Sequence, residues 1–139
     1  MIILDTNVVS ALMRADADPA VQDWLNAQHP GNVWLNAVLV YEIRFGLACI
    51  AEGTRRRALE QSFATMLRTL FTGRIAPLDH PAADAAGRIA AEGRRAGRPM
   101  DVRDAMIGGI AVARKAALAT SNTRHFRHLG VRLIDPWGA

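Results

Sequence analysis

Cysteine is nearly missing from this chain. Cys49 stands alone among 139 residues, which excludes an intramolecular disulfide and every multi-thiolate zinc pattern. Lysine is nearly missing too: Lys115 is the only one, so the net charge of +4 is carried almost wholly by arginine. No apolar run approaches the roughly 18 residues of a membrane span. The opening MIILDTNVVS breaks its apolar stretch with an acid too early for a secretory signal. GxGxxG, Walker A and GxSxG patterns are absent, which removes the nucleotide-cofactor and serine-hydrolase readings. These absences together predict a cytoplasmic protein in a reducing compartment.

What is present supports a packed core. Half the residues are hydrophobic, and the length predicts a single domain over residues 1–139. Arginine forks match phosphate bidentately, so the charge is compatible with a polyanionic partner. An Ala-, Gly- and Arg-rich composition accounts for that charge equally well.

Short apolar β-type runs alternate with longer helical patterns. Strands are expected at Met1–Leu4, Val33–Leu35, Ile75–Leu78, Leu118–Thr120 and Val131–Ile134. Helices are expected at Thr6–Arg14, Pro19–Gln28, Val38–Ala51, Thr54–Leu70, Pro81–Ala96 and Asp101–Ala116, with a short one at Arg124–His128. Pro19 suits a first helical turn, and Gly53 and Gly97 suit helix ends. Such alternation predicts an α/β chain with a mainly parallel sheet covered on both faces. Sites in such sheets form at the carboxyl ends of strands.

Four polar positions fall at such places. Asp5 directly follows Ile2-Ile3-Leu4, where it serves equally as a ligand or as a helix cap. Glu42 interrupts AVLVYEIRFGLACI, with Val38, Leu39, Phe45 and Gly46 on its helical face. A carboxylate there must neutralise, bind a cation or pair with a distant arginine, since Arg44 points elsewhere. Asp101 is the natural cap of the late helix, which leaves Asp104 three residues on needing another reason. Asn122 follows Thr120 and Ser121 at a strand end, as a water- or metal-orienting group or as a cap. Carboxylates about 4 Å apart repel by roughly 4 kcal/mol at an effective dielectric of 20, so a convergent acidic pocket calls for a cation. Oxygen donors favour Mg²⁺ or Mn²⁺ over zinc, and such an ion activates water for attack on phosphorus.

At these residues the chain resembles the PIN-domain family, in particular the VapC and FitB type of toxin from bacterial toxin–antitoxin pairs. The matching stretches are IILDTNVVS, Val40-Tyr41-Glu42-Ile43 with Phe45-Gly46-Leu47, Asp104-Ala105-Met106-Ile107, and LATSNTRHF followed by VRLIDPW. The resemblance implies a three-layer α/β/α fold with a central, mainly parallel sheet. It implies that Asp5, Glu42 and Asp104 hold Mg²⁺, with Mn²⁺ as a substitute. Asn122 falls where some members carry a fourth acid, which leaves one charge fewer and weakens the case for a second metal. Thr6, Asn7 and Thr120 match pocket-lining positions, with Ser121 beside them as a further substrate-positioning residue. The implied activity is endoribonuclease action on RNA, tRNA or rRNA above all. The implied partners are a second copy of the chain and a small DNA-binding antitoxin whose tail enters the site.

Two other readings compete. A non-catalytic module of the same fold would bind RNA or antitoxin and act as a co-repressor; Asn122 motivates it. A phospho-acceptor receiver domain would need paired acids after the first strand and a late-strand lysine, whereas Asp5 is alone and Lys115 is expected inside a helix. Several signals are set aside as structural. His125 and His128 read as surface residues, Arg55-Arg56-Arg57 as a solvated face, and Arg94, Arg95 and Arg98 as helix-end charges. Cys49 reads as a small core residue, and Gly108-Gly109 as a site of close helix packing.

Overall fold

A computed structural model describes residues 1–138. In chain order the elements are β1 (Ile2–Leu4), α1 (Thr6–Met13), α2 (Pro19–Asn26), β2 (Val33–Asn36), α3 (Ala37–Ala48), α4 (Thr54–Thr69), β3 (Ile75–Ala76), α5 (His80–Arg95), α6 (Val102–Ala113), β4 (Ala117–Ala119), α7 (Thr123–Phe126) and β5 (Leu133–Ile134). A 3₁₀ turn at Pro30–Asn32, not foreseen in the sequence, leads into β2. Every expected element is present, most of them shorter by one to three residues at an end.

The five strands run in the order β3-β2-β1-β4-β5, and every pairing is parallel. The chain winds outward from β1 through β2 to β3, then returns to place β4 on the other side of β1. The strand order therefore reverses between β1 and β4, and that crevice is where ligand sites form in open α/β sheets.

Alternation along the strands assigns the two faces. Ile2, Leu4, Val33, Leu35, Ala117 and Ala119 point into one core, with Val8, Val9, Leu39, Ile43, Phe63 and Met66 from α1, α3 and α4. Ile3 and Leu118 point into the other, with Ala82, Ile107, Ile110 and Phe126 from α5, α6 and α7. Period-two side chains divided between two helical layers give the three-layer α/β/α arrangement. The α5–α6 contact depends on glycine. A Cβ on Gly109 would lie 2.5 Å from the Ala82 carbonyl oxygen and 2.7 Å from Ala86 N, so the two helices approach nearly backbone to backbone there.

Three expectations are corrected. Cys49 is exposed rather than buried, because α3 ends at Ala48 and Cys49 caps it outside the core. Lys115 is not helical: α6 stops at Ala113, and Lys115 turns the chain with a φ of 52° toward β4. The apolar face expected around Glu42 is divided. Val38 and Leu39 are buried, but Phe45 and Tyr41 are 58% and 59% exposed and stack on each other, centroids 6.1 Å apart.

Candidate active site

The carboxyl edge of β1 and β4 opens into a pocket of about 440 Å³. Asp5, Glu42 and Asp104 line it, with Thr6, Asn7, Ser10, Arg14, Ser121, Asn122 and Trp137. Three acids far apart in sequence thus meet where the strand order reverses.

Asp5 performs both tasks allowed by its position. Its Oδ1 accepts from the Thr6 N–H at 2.8 Å and caps α1. Its Oδ2 accepts from the Thr120 hydroxyl at 2.7 Å. Its own N–H donates to the Ala119 carbonyl at 2.9 Å, which ties the end of β1 to β4. Burial pushes the Asp5 carboxyl above its ordinary range. The Thr120 and Thr6 bonds pull it down, and the charge of Asp104 pushes it further up.

Thr120 is fully buried and lies behind Asp5 rather than on the pocket wall. Its hydroxyl oxygen accepts from the Asn122 N–H at 2.9 Å while donating to Asp5. It therefore fixes both a carboxylate and the loop that carries Ser121 and Asn122. Asn122 itself lines the pocket. It occupies the N-cap position of α7 but makes no side-chain cap bond there, so its amide is free of the capping task. The Ser121 N–H approaches Asn7 Oδ1 at 3.5 Å, which closes the same rim.

Glu42 is brought to the pocket by Asn36, a fully buried polar residue that sequence reasoning passed over. Asn36 Nδ2 donates to the Leu4 carbonyl at 2.9 Å, and its Oδ1 accepts from Leu39 N at 2.8 Å to cap α3. One amide thus locks the start of α3 onto the end of β1, a turn away from Glu42. Glu42 Oε1 accepts from the Thr6 hydroxyl at 2.8 Å, and Oε2 lies 3.6 Å from Arg103 Nη1. The distant-arginine partner is therefore real, and it is Arg103. Arg44 turns away, its guanidinium 5.0 Å above the Phe63 ring.

Asp104 lies in the first turn of α6, and Asp101 caps that helix by accepting from Arg103 N at 2.9 Å. Burial pushes the Asp104 carboxyl up. His125 opposes that shift, and the charges of Asp101 and Glu42 add to it. His125 Nδ1 lies 3.1 Å from Asp104 Oδ2, so one of the two histidines set aside as surface residues touches the site. Asp101, by contrast, is held below the usual carboxylate range by Arg103 hydrogen bonds. Cap and site acid are separated by their surroundings.

Each carboxylate thus has a protein partner, and among the described residues no three acidic, histidine or cysteine side chains converge on one point as they stand. The donor set is nevertheless that of a hard cation. Three carboxylates face one pocket, Asp104 helps raise the pKa of Asp5 and Glu42 helps raise that of Asp104, and no thiolate competes. Arg103, His125, Asn36, Ser10, Arg14 and Trp137 were not assigned to the site from sequence. Only tertiary approach brings them there.

Comparison with known proteins gives one family and close structural kin. The model of the PIN domain matches residues 2–131. The chain is 35% identical to VapC ribonuclease Y4jK of Sinorhizobium fredii, over 99% of this chain and 98% of that protein. It is 30% identical to the tRNA(fMet)-specific endonuclease VapC of Shigella flexneri, over 97% of this chain and 96% of that one. Its fold superposes on FitAcB from Neisseria gonorrhoeae with a TM-score of 0.90 and 31% identity, covering 100% of both chains.

Proposed function

The chain belongs to the PIN-domain family, and on that footing we propose that it is a metal-dependent endoribonuclease, the toxin of a toxin–antitoxin pair. Asp5, Glu42 and Asp104 would hold Mg²⁺, or Mn²⁺ in its place. The observation that carries the reading is the meeting of these three acids, from β1, α3 and α6, in one pocket at the strand-order reversal. When bound, the ion would supply an activated water and charge stabilisation at the leaving oxygen.

The chain's own residues prepare that chemistry. Thr120 and the Thr6 N–H hold Asp5 in one orientation and favour its charged form. Thr6 orients Glu42. In the metal-free protein Arg103 lies against Glu42 and His125 hydrogen-bonds to Asp104, and both are side chains that can withdraw because they are about half exposed. Asn7, Ser121 and Asn122 line the rim where a phosphodiester would enter. Asn122 in place of a further acid favours one strong metal site over two.

RNA as substrate is supported by the ribonuclease relatives and by the arginine-borne net charge. Pairing of two copies is supported by the exposed Tyr41–Phe45 stack, which lines one groove with the exposed Val102. A small DNA-binding antitoxin, contacting the active-site rim, completes the proposed pair. The test is incubation of total cellular RNA with purified protein in Mg²⁺, in Mn²⁺ and in chelator, beside Asp104→Asn. Discrete metal-dependent fragments missing from the variant support the nuclease. RNA binding without cleavage under any condition transfers the assignment to the non-catalytic co-repressor.

A further inference from the structure

The pocket is larger than a metal site requires. Its volume of about 440 Å³ falls within the roughly 300–1,000 Å³ range of sites that enclose an organic ligand. The carboxylates account for only part of its wall. Ser10, Arg14 and Trp137 line it as well.

Arg14 caps the C-terminal end of α1, while Asp5 caps its N-terminal end. Nine residues at 1.5 Å each separate the two by about 13 Å, several times the roughly 3.4 Å rise between stacked nucleotides. Arg14 is exposed and, like most arginines here, forms no ion pair among the described residues; what sets it apart is its place on the wall of this pocket. A guanidinium without a carboxylate partner, on the wall of an otherwise acidic pocket, is suited to a phosphate.

Trp137 is the one aromatic residue on that wall. It follows β5, so it stands at the same sheet edge as Asp5 and Thr120. Its placement is fixed from two sides. Its backbone N–H donates to Asp135 Oδ1 at 2.9 Å, and its side chain packs in part against the core on the α1, α3 and α4 side of the sheet. Trp137 is half-buried, so the indole is anchored at one side and open at the other. An anchored, half-open aromatic surface beside an unpaired arginine is the combination by which proteins hold single-stranded nucleic acid.

We propose that Trp137 and Arg14 form a nucleotide subsite of this pocket, Trp137 stacking on a base and Arg14 holding a phosphate one or more nucleotides from the scissile bond. The proposal rests on the ribonuclease reading of the same pocket.

The experiment is equilibrium binding of a fluorescein-labelled, mixed-sequence single-stranded RNA 12-mer to the full chain in chelator, where cleavage is off. Trp137→Ala should weaken binding roughly ten- to a hundredfold, as loss of a stacked base does, and Trp137→Phe should lose no more than about threefold. Arg14→Gln should weaken binding and reduce the slope of log affinity against log salt by about 0.7, the value for one phosphate of a single strand. In a Trp24→Phe, Trp34→Phe protein, whose remaining tryptophan is Trp137, the RNA should quench the fluorescence. Wild-type affinity and slope in Trp137→Phe, Trp137→Ala and Arg14→Gln alike would overturn the subsite. If Trp137→Ala fails to fold, the quenching and the Arg14→Gln salt slope decide the matter, and absence of both overturns it. A wild-type protein that cleaves RNA while the variants bind normally refutes the subsite alone. A wild-type protein that neither binds nor cleaves RNA refutes the ribonuclease reading beneath it.

Discussion

Replacing Asp5 by asparagine should stabilise the metal-free protein while removing its activity. Asp5 is only 5% exposed, and its carboxyl is pushed above the ordinary 3.8, by burial first. A folded-state pKa above the unfolded one contributes stability that is fully present below pH 3.8 and is lost as pH rises through the folded value. At neutral pH that contribution is gone, and an ionised group sits in a poorly solvated place. The charged form is therefore disfavoured in the folded chain even after the lowering by Thr120 and Thr6 is included. Asparagine carries no such charge. Its carbonyl oxygen still accepts from the Thr6 N–H, and its amide can donate to the Thr120 hydroxyl oxygen, which also accepts from the Asn122 N–H; the Thr120 hydroxyl proton loses its acceptor, which offsets part of the gain. The variant should therefore melt above wild type; for a chain of this size each kcal/mol gained raises Tm by about 3–5 °C. Thermal unfolding in chelator at pH 7.5 reads the effect. The gap should narrow as pH falls toward 4, where wild-type Asp5 takes up its proton. Added Mg²⁺ should reverse the order, since only the wild type gains from binding. An asparagine variant that melts well below wild type in chelator at pH 7.5 would refute the reasoning and make Asp5 chiefly a structural cap.

Three further outcomes follow from particular contacts. Arg103→Gln frees Glu42 of a competing cation 3.6 Å away, so Mn²⁺ titrated into the protein by calorimetry should bind about three- to tenfold tighter than to wild type, by the loss of one nearby positive charge; unchanged or weaker binding would contradict this. Thr120→Val keeps the volume but strands Asp5 Oδ2 and the Asn122 N–H, and should lower stability in urea by about 1–3 kcal/mol; a loss below about 0.5 kcal/mol would mean that water replaces the hydroxyl. Gly109→Ala places a methyl 2.5 Å from the Ala82 carbonyl and should cost at least about 1–3 kcal/mol through forced separation of α5 and α6; a neutral variant would show that the two helices are free to part.

Much of the fold and the three acids was legible because the relevant signals are local. Asp5 stands directly after an apolar strand, and Glu42 is an acid inside an apolar helix. Asp101 had already claimed the capping role that would have explained Asp104 away. Gly108-Gly109 marked a close helix contact for the same local reason. What could not be read depends on approach in three dimensions. Arg103 looks like any surface arginine until α6 is laid beside α3, where its Nη1 meets Glu42. His125 became a site neighbour only through the packing of α7 on α6. Cys49 and Phe45 misled for a different reason. The segment Ala37–Ala48 is apolar nearly all round, so periodicity cannot say which side faces the core. Asn36 shows the opposite case: a buried polar residue in a strand-to-helix corner, VWLNAV, is a cap signal visible in the sequence that went unused.

The most direct test of the account is crystallography of the chain with Mn²⁺, using anomalous scattering to locate the ion. One strong peak ligated by Asp5, Glu42 and Asp104 together is expected, with Arg103 moved off Glu42. No peak in the pocket, or an ion held elsewhere while the three carboxylates keep Thr120, Arg103 and His125, would contradict it.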